Sequence, residues 1–159
     1  MKFNKAIKNL FIVLFSTLLI SACSTAKKAK VDTVDDVYTG TDTVEFLAKG
    51  VPDRIFFATN KSKLTTASRD TLRKQATWMR KNKDVTVTVE GHADERGTRE
   101  YNLALGERRA NAAKDYLMTY GVSGKRISVI SYGKERPVNP ASSPLAWSQN
   151  RRSVTVKAN

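Results

Sequence analysis

Cysteine is nearly absent from this sequence: Cys23 is the only one among 159 residues. A lone thiol excludes an intramolecular disulfide and a thiolate-cluster metal site. Histidine is as scarce, with His92 alone, so a site built on several imidazoles is excluded as well. His92 stands in Gly91-His92-Ala93-Asp94, which tempts a catalytic reading. The pair has no serine elbow to serve, and the one thiol is committed elsewhere, so the chain does not read as an enzyme. Acids are outnumbered, 15 against 28 bases, for a net charge of +13. Such a chain suits nucleic acid, anionic lipid or a polyanionic wall, although much of the charge reads as solvated surface. Long apolar runs are also missing, save one: Leu10 to Ile20, whose eleven residues are too few to span a bilayer core.

That run follows a start carrying Lys2, Lys5 and Lys8 and no acid, and it is followed by Ser21 and Ala22. A basic start, a short apolar run and small residues make a secretory signal peptide. Ile20-Ser21-Ala22-Cys23 resembles a bacterial lipobox, in which the cysteine thiol is joined to diacylglycerol and becomes the first residue after cleavage. Residues 1–22 are therefore expected to be a signal peptide, and Cys23 the lipidation site. One acyl chain binds a membrane only marginally, whereas the several chains of a mature lipoprotein anchor stably. Ser24 in place of an aspartate points to the outer membrane, with the domain facing the periplasm. Export argues against nucleic acid, as does the lack of aromatic residues interleaved with basic ones. Cleavage removes three lysines, leaving 137 residues and a net charge of +10, enough for one domain and a tail.

Residues 23–50 are polar with little periodicity and read as the lipidated cysteine and a flexible tether. From 51 to 159 the pattern is globular. Ile55-Phe56-Phe57 is a strand signal, and Thr65 or Thr66 can cap a helix to about Asn82 with Leu72, Ala76 and Met79 on one face. Val85 to Val89 alternates with period two, as a half-buried strand does. A polar turn, Gly91 to Thr98, leads into a helix from about Arg99 to Tyr120, closed by Gly121. Ile127 to Tyr132 is the next strand, Gly133 to Asn150 a proline-rich loop, and Val154 to Val156 a closing strand. The order β-α-β-α-β-β predicts an α+β sandwich of two main helices on one mixed sheet.

The second helix contains an anomaly. At about 100° per residue, Leu105, Ala112, Ala113, Tyr116 and Tyr120 form an apolar stripe with Leu117 at its edge. Glu107, Asn111, Lys114 and Asp115 lie opposite. Arg109 falls near the centre of the stripe, with Asn102 on the same side. A guanidinium facing a core is costly unless an anion pairs with it. Asp94, Glu95 and Glu100 are the nearest candidates. The pair is either a buried bridge or a zwitterion clamp, in which Asp94 takes a ligand ammonium and Arg109 a carboxylate through its planar fork. Trp78 and Trp147 read first as packing, with Trp147 also a candidate for partner contact.

Val89 to Ala112 (VEGHADERGTREYNLALGERRANA), Ile130 to Pro137 (ISYGKERP) and Asn150-Arg151-Arg152 closely resemble the OmpA-like domain family, in its branch of peptidoglycan-associated lipoproteins. The resemblance covers about Pro52 to Val156. It implies the fold order above and non-covalent binding of the diaminopimelate side chain of uncrosslinked peptidoglycan stems. It also implies that Asp94 and Arg109 hold the zwitterionic end, with further contacts from Phe57, Thr59, Asn60, Lys61, Asn102 and Leu105. The first-strand loop departs from the family pattern: Phe57-Ala58-Thr59-Asn60-Lys61 has no carboxylate, and Asn60 accepts only through a neutral amide. Tol components, including a TolB-type propeller protein competing for the wall site, are the partners the resemblance implies. Another envelope lipoprotein with the same wall grip and different partners is the alternative. No cofactor or metal is expected.

Overall fold

A computed structural model describes residues 36–158. The expected signal peptide, Cys23 and the start of the expected tether lie outside the described residues. A four-stranded sheet is built from β3 (Arg54–Phe56), β4 (Val87–His92), β5 (Ile127–Gly133) and β6 (Arg152–Lys157), in the order β3-β6-β4-β5. β6 is antiparallel to both neighbours, while β4 and β5 are parallel. Parallel neighbours need a crossover, and α2 (Arg99–Thr119) supplies it. With α1 (Thr66–Lys81), it buries the core that includes Phe57, Leu72, Met79, Val87, Val89, Ala113 and Leu117. The fold is α+β, two main helices on a mixed sheet, in the expected element order. Among the described residues, no helix is long and apolar enough to cross a membrane.

Local chemistry sets the helix ends. Thr65 caps α1 by accepting from Ser68 N at 3.1 Å, and Thr98 caps α2 by accepting from Tyr101 N at 3.2 Å. Past the end of α2, Gly121 adopts φ +84°. Its N–H bonds Met118 O at 2.9 Å and the Val122 N–H bonds Leu117 O at 3.2 Å. These two bonds satisfy carbonyls that the last turn leaves open.

Three expectations need correction. The strand placed at Val85–Val89 runs from Val87 to His92, because the ladder to β5 starts at Val87 and continues through Gly91. The loop before the last strand contains a short helix, α3 (Pro144–Asn150), whose start is capped by Ser143 with Pro144 in the first turn. A proline there loses no bond, since that N–H has no helical partner. Finally, the tether does not extend to residue 50. Phe46–Ala48 (β1) pairs with Val51–Pro52 (β2) as a hairpin. Val37 and Tyr38 are buried against Phe56, with the Tyr38 and Phe56 rings edge-on at 4.7 Å. Apolar residues spaced too irregularly to show a period still cover one end of the sheet.

β4 and α2 meet backbone to backbone, which fixes where α2 lies. A Cβ on Gly91 would fall 1.8 Å from Gly106 O, so only glycine fits there. The inner stripe of α2 runs accordingly through Asn102, Leu105, Gly106, Arg109, Ala110, Ala113 and Leu117. Ala112, Tyr116 and Tyr120 are half-buried at its flank, and Leu117, expected at the edge, is at the centre.

Candidate functional site

Arg109 is wholly buried, at 0% exposure. No carboxylate pairs with it among the described residues; three backbone carbonyls do the work instead. Nη1 donates to His92 O at 2.7 Å, Nε to Lys61 O at 2.9 Å and Nη2 to Ala58 O at 3.1 Å. The guanidinium also lies over the Phe57 ring, 5.2 Å from its centroid. Carbonyls satisfy donors without neutralising the charge. Burial, reinforced by the nearby Arg151 cation, lowers the Arg109 pKa to about 10, so the group stays charged at neutral pH. A guanidinium has five N–H donors; after these three bonds, Nη1 and Nη2 each keep one.

Asp94 is buried too, but it pairs elsewhere. Its Oδ1 accepts from Arg96 Nε at 3.0 Å and from the Arg96 backbone N–H at 3.1 Å. Its Oδ2 accepts from Arg96 Nη2 at 2.8 Å and Arg151 Nη1 at 3.3 Å. Burial alone would push this carboxyl up; the Arg96 and Arg151 donors outweigh it and hold the pKa below the usual carboxylate range. The buried Asp94–Arg109 bridge considered from sequence is therefore not formed, because Arg96 and Arg151 have the carboxylate.

The bonds around Asp94 close into a ring. Arg96 Nη2 also donates to Thr59 Oγ1 at 3.2 Å. The Thr59 backbone N–H donates to Asp36 Oδ1 at 2.9 Å, and the Thr59 hydroxyl donates to Asp36 Oδ2. Arg151 Nη2 lies 3.3 Å from Asp36 Oδ2 and donates to the Asp36 carbonyl. Asp36, Thr59, Arg96, Asp94 and Arg151 thus form a closed circuit of alternating donors and acceptors. Arg109 sits behind it, joined through Phe57, whose carbonyl accepts from Arg151 Nε at 3.0 Å.

Asp94, Arg109, Thr59 and Phe57 are therefore brought together. Lys61 contributes its carbonyl to Arg109, while its side chain is exposed. Asn60 is exposed at φ +56°, a left-handed corner that asparagine tolerates better than most residues. Asn102 is buried and ties Nδ2 to Arg96 O at 2.8 Å, shaping the turn from beneath. Leu105 and the Phe57 ring are buried in the protein and support the site. Glu95 faces away, its carboxylate accepting from Trp147 Nε1 at 2.8 Å and from Ser142. Glu100 is exposed in the first turn of α2.

Sequence reasoning missed Arg96, Arg151 and Asp36. Arg151 closes α3 and precedes β6; it stands in the family-like Asn150-Arg151-Arg152, but nothing local shows that it reaches Asp94. Trp147 stacks beneath Arg96, 4.3 Å from ring centroid to guanidinium, so its packing role is to position Asp94's main donor. His92 contributes a backbone carbonyl while its ring is buried against Tyr132. Burial, then the charges of Arg152, Arg136 and Arg54, lower its pKa to about 3, leaving it neutral.

Fold and site define an α+β domain organised around a buried guanidinium that has no acidic partner among the described residues. Residues 56–151 match the model of the OmpA family, and the chain belongs to that family. It is 44% identical over 150 residues to a peptidoglycan-associated lipoprotein of Brucella melitensis, covering 91% of this chain and 89% of that one. It is 55% identical over 106 residues to one from Mesorhizobium japonicum, covering 67% of this chain and 63% of the relative. Among solved structures, the peptidoglycan-associated lipoprotein of Burkholderia pseudomallei superimposes with a TM-score of 0.65 at 32% identity, over 67% of this chain and 90% of that one.

Proposed function

We propose that this chain is a cell-envelope lipoprotein that grips peptidoglycan non-covalently through Arg109 and Asp94. The observation carrying the reading is Arg109 itself: a fully buried cation with three carbonyl partners, no carboxylate partner among the described residues, and N–H groups left over. A buried charge of this kind is costly unless an anion completes it. A planar fork suits a carboxylate. The names carried by the relatives supply the ligand class: peptidoglycan, with the zwitterionic end of diaminopimelate as the piece that offers a carboxylate and an ammonium together. In this reading the carboxylate goes to Arg109. The ammonium goes to Asp94, sharing it with Arg96, whose guanidinium is the exposed partner of that pair.

The rest of the chain turns grip into linkage. Residues 1–22 are a signal peptide, Cys23 carries the acyl chains, and the segment from Cys23 toward Asp36 spans from the outer membrane to the domain. The protein then holds the outer membrane to the wall. Tol components, with a TolB-type propeller competing for the wall site, are its partners, and envelope integrity during division is its role. The wording Gly91-His92-Ala93-Asp94-Glu95-Arg96-Gly97-Thr98 favours this branch over other envelope lipoproteins of the family.

A pull-down on purified sacculi tests the grip. Binding is expected to be competed by free diaminopimelate-containing stem peptide and lost in Asp94→Ala. Retention that stem peptide leaves untouched and salt removes would mean nonspecific basic adhesion and sink the reading. For the anchor, Cys23→Ser is expected to release the protein from membranes; continued fractionation with membrane would refute lipidation there.

A further inference from the structure

The wall site contains an anion that belongs to the chain itself. The Asp36 carboxylate accepts from the Thr59 backbone N–H and hydroxyl and lies 3.3 Å from Arg151 Nη2. It comes from the segment that leads to the core, not from the sheet or either main helix. Asp36 and Val37 also line a groove of about 730 Å³ together with Ala58, Thr59, Lys61 and Lys63. Two of those residues, Ala58 and Lys61, give Arg109 its carbonyl partners. Arg109 is at 0% exposure in this arrangement, so a ligand that reaches it must displace something.

Charge identifies what gives way. Without Asp36, the ring and the Arg109 behind it have Asp94 as their one acid against Arg96, Arg109 and Arg151. With Asp36 they have two acids against the same three cations. The Asp36 backbone is at φ +46°, a left-handed conformation that costs a non-glycine residue and persists only where contacts hold it. Of the two acids Asp36 is the displaceable one: its side chain is 41% exposed, against 9% for Asp94.

We propose that Asp36 is a built-in competitor: its carboxylate occupies the Thr59–Arg151 anion subsite in front of Arg109, and a ligand must displace it to bring its own carboxylate to Arg109. The inference rests on the wall-binding reading above and adds a regulation of that same site. Apparent affinity is reduced by the fraction of chains in which the competitor is seated.

The test compares the full chain with its Asp36→Ala, Asp36→Asn and Arg109→Ala variants, each checked by thermal melt. Binding of a diaminopimelate-containing stem peptide is measured in solution, and the Thr59 amide is followed by NMR during acetate titration. Asp36→Ala is expected to bind the peptide about fivefold or more tightly, with Arg109→Ala not binding. Its Thr59 amide should shift with millimolar acetate, while that of the native chain stays put. If Asp36→Ala unfolds, Asp36→Asn, which keeps the shape and loses the charge, is read in its place. Equal or weaker peptide binding by the Asp36 variants, with Arg109→Ala inactive, overturns the competitor. If no form binds the peptide, the wall reading fails, and the acetate titration decides alone. A shift confined to the Asp36 variants keeps the competitor, and identical titrations overturn it.

Discussion

Arg151 Nη1 lies 3.3 Å from Asp94 Oδ2, while Arg151 Nε holds Phe57 O at 3.0 Å. One guanidinium therefore ties the carboxylate of the β4–α2 turn to the end of the first sheet strand. Arg109 lies behind that junction, its pKa lowered first by burial and then by Arg151. Site and core share residues here, so a change that damages binding also tests stability.

Arg109 shows the coupling most directly. Lysine offers a point charge on a flexible stem and cannot reproduce bonds to Lys61, His92 and Ala58 at once. Arg109→Lys should leave at least one or two carbonyls unsatisfied, at about 1–3 kcal/mol each. Wall binding should fall at least tenfold, and the melting temperature should fall with it. A variant that melts like the native chain yet fails to bind would show that the three carbonyl bonds contribute little to the fold.

Packing between β4 and α2 should be intolerant. Gly91→Ala places a methyl 1.8 Å from Gly106 O, a backbone atom that moves only if α2 moves. Overpacking of this kind costs about 1–3 kcal/mol, and more where backbone must shift. Urea denaturation of Gly91→Ala should show a loss at or above the top of that range. A loss under about 1 kcal/mol would mean that the helix can slide freely on the sheet.

His92 predicts a distinct pH window. Its folded pKa, about 3, lies below the ordinary imidazole value of about 6.5, so the unfolded chain takes up a proton first as pH falls. Stability from the neutral imidazole is complete above 6.5 and declines below it, by roughly 1.4 kcal/mol per pH unit at most. Asp94 also has a lowered pKa, but its contribution is lost only in the carboxylate range, near pH 4 and below. Between pH 6.5 and 4.5 the native chain should therefore lose stability while His92→Gln stays flat. Parallel curves for the two would remove His92 as the cause.

The segment expected to be a tether has a measurable test as well. Tyr38 is 2% exposed and packs edge-on against Phe56. Removing a large buried aromatic costs about 3–5 kcal/mol in a well-packed core and less in a small satellite cluster. Tyr38→Ala should destabilise by about 2–3 kcal/mol in chemical denaturation. A loss below 0.5 kcal/mol, typical of a surface position, would return residues 36–50 to the tether.

The sequence by itself determined the two main helices and the presence of the four sheet strands, and it singled out Arg109. Helix caps at Thr65 and Thr98, the 3.6-residue stripes and the alternation around Val87 and Val89 are local signals, and local chemistry decides them. Arg109 was legible because a charge on an apolar stripe breaks a local pattern. Asp94 was legible as a carboxylate in the turn before the helix and again in the family's motifs; its partners are Arg96 and Arg151, not Arg109. The signal for the helix Pro144–Asn150 is equally local, a Ser143 cap followed by Pro144 in the first turn.

Only the tertiary structure decided who bonds whom. Arg151 meets Asp94 across 57 positions and Asp36 across 115, and no periodicity encodes such pairings. In a chain with 28 bases, the choice among arginines depends on which one the sheet order carries to the β4–α2 turn. The antiparallel pairing of β6 with β3 and β4 brings Arg151 there. That placement satisfies Asp94 with Arg96 and Arg151, leaves Arg109 to backbone carbonyls, and seats Asp36 on Thr59 and Arg151.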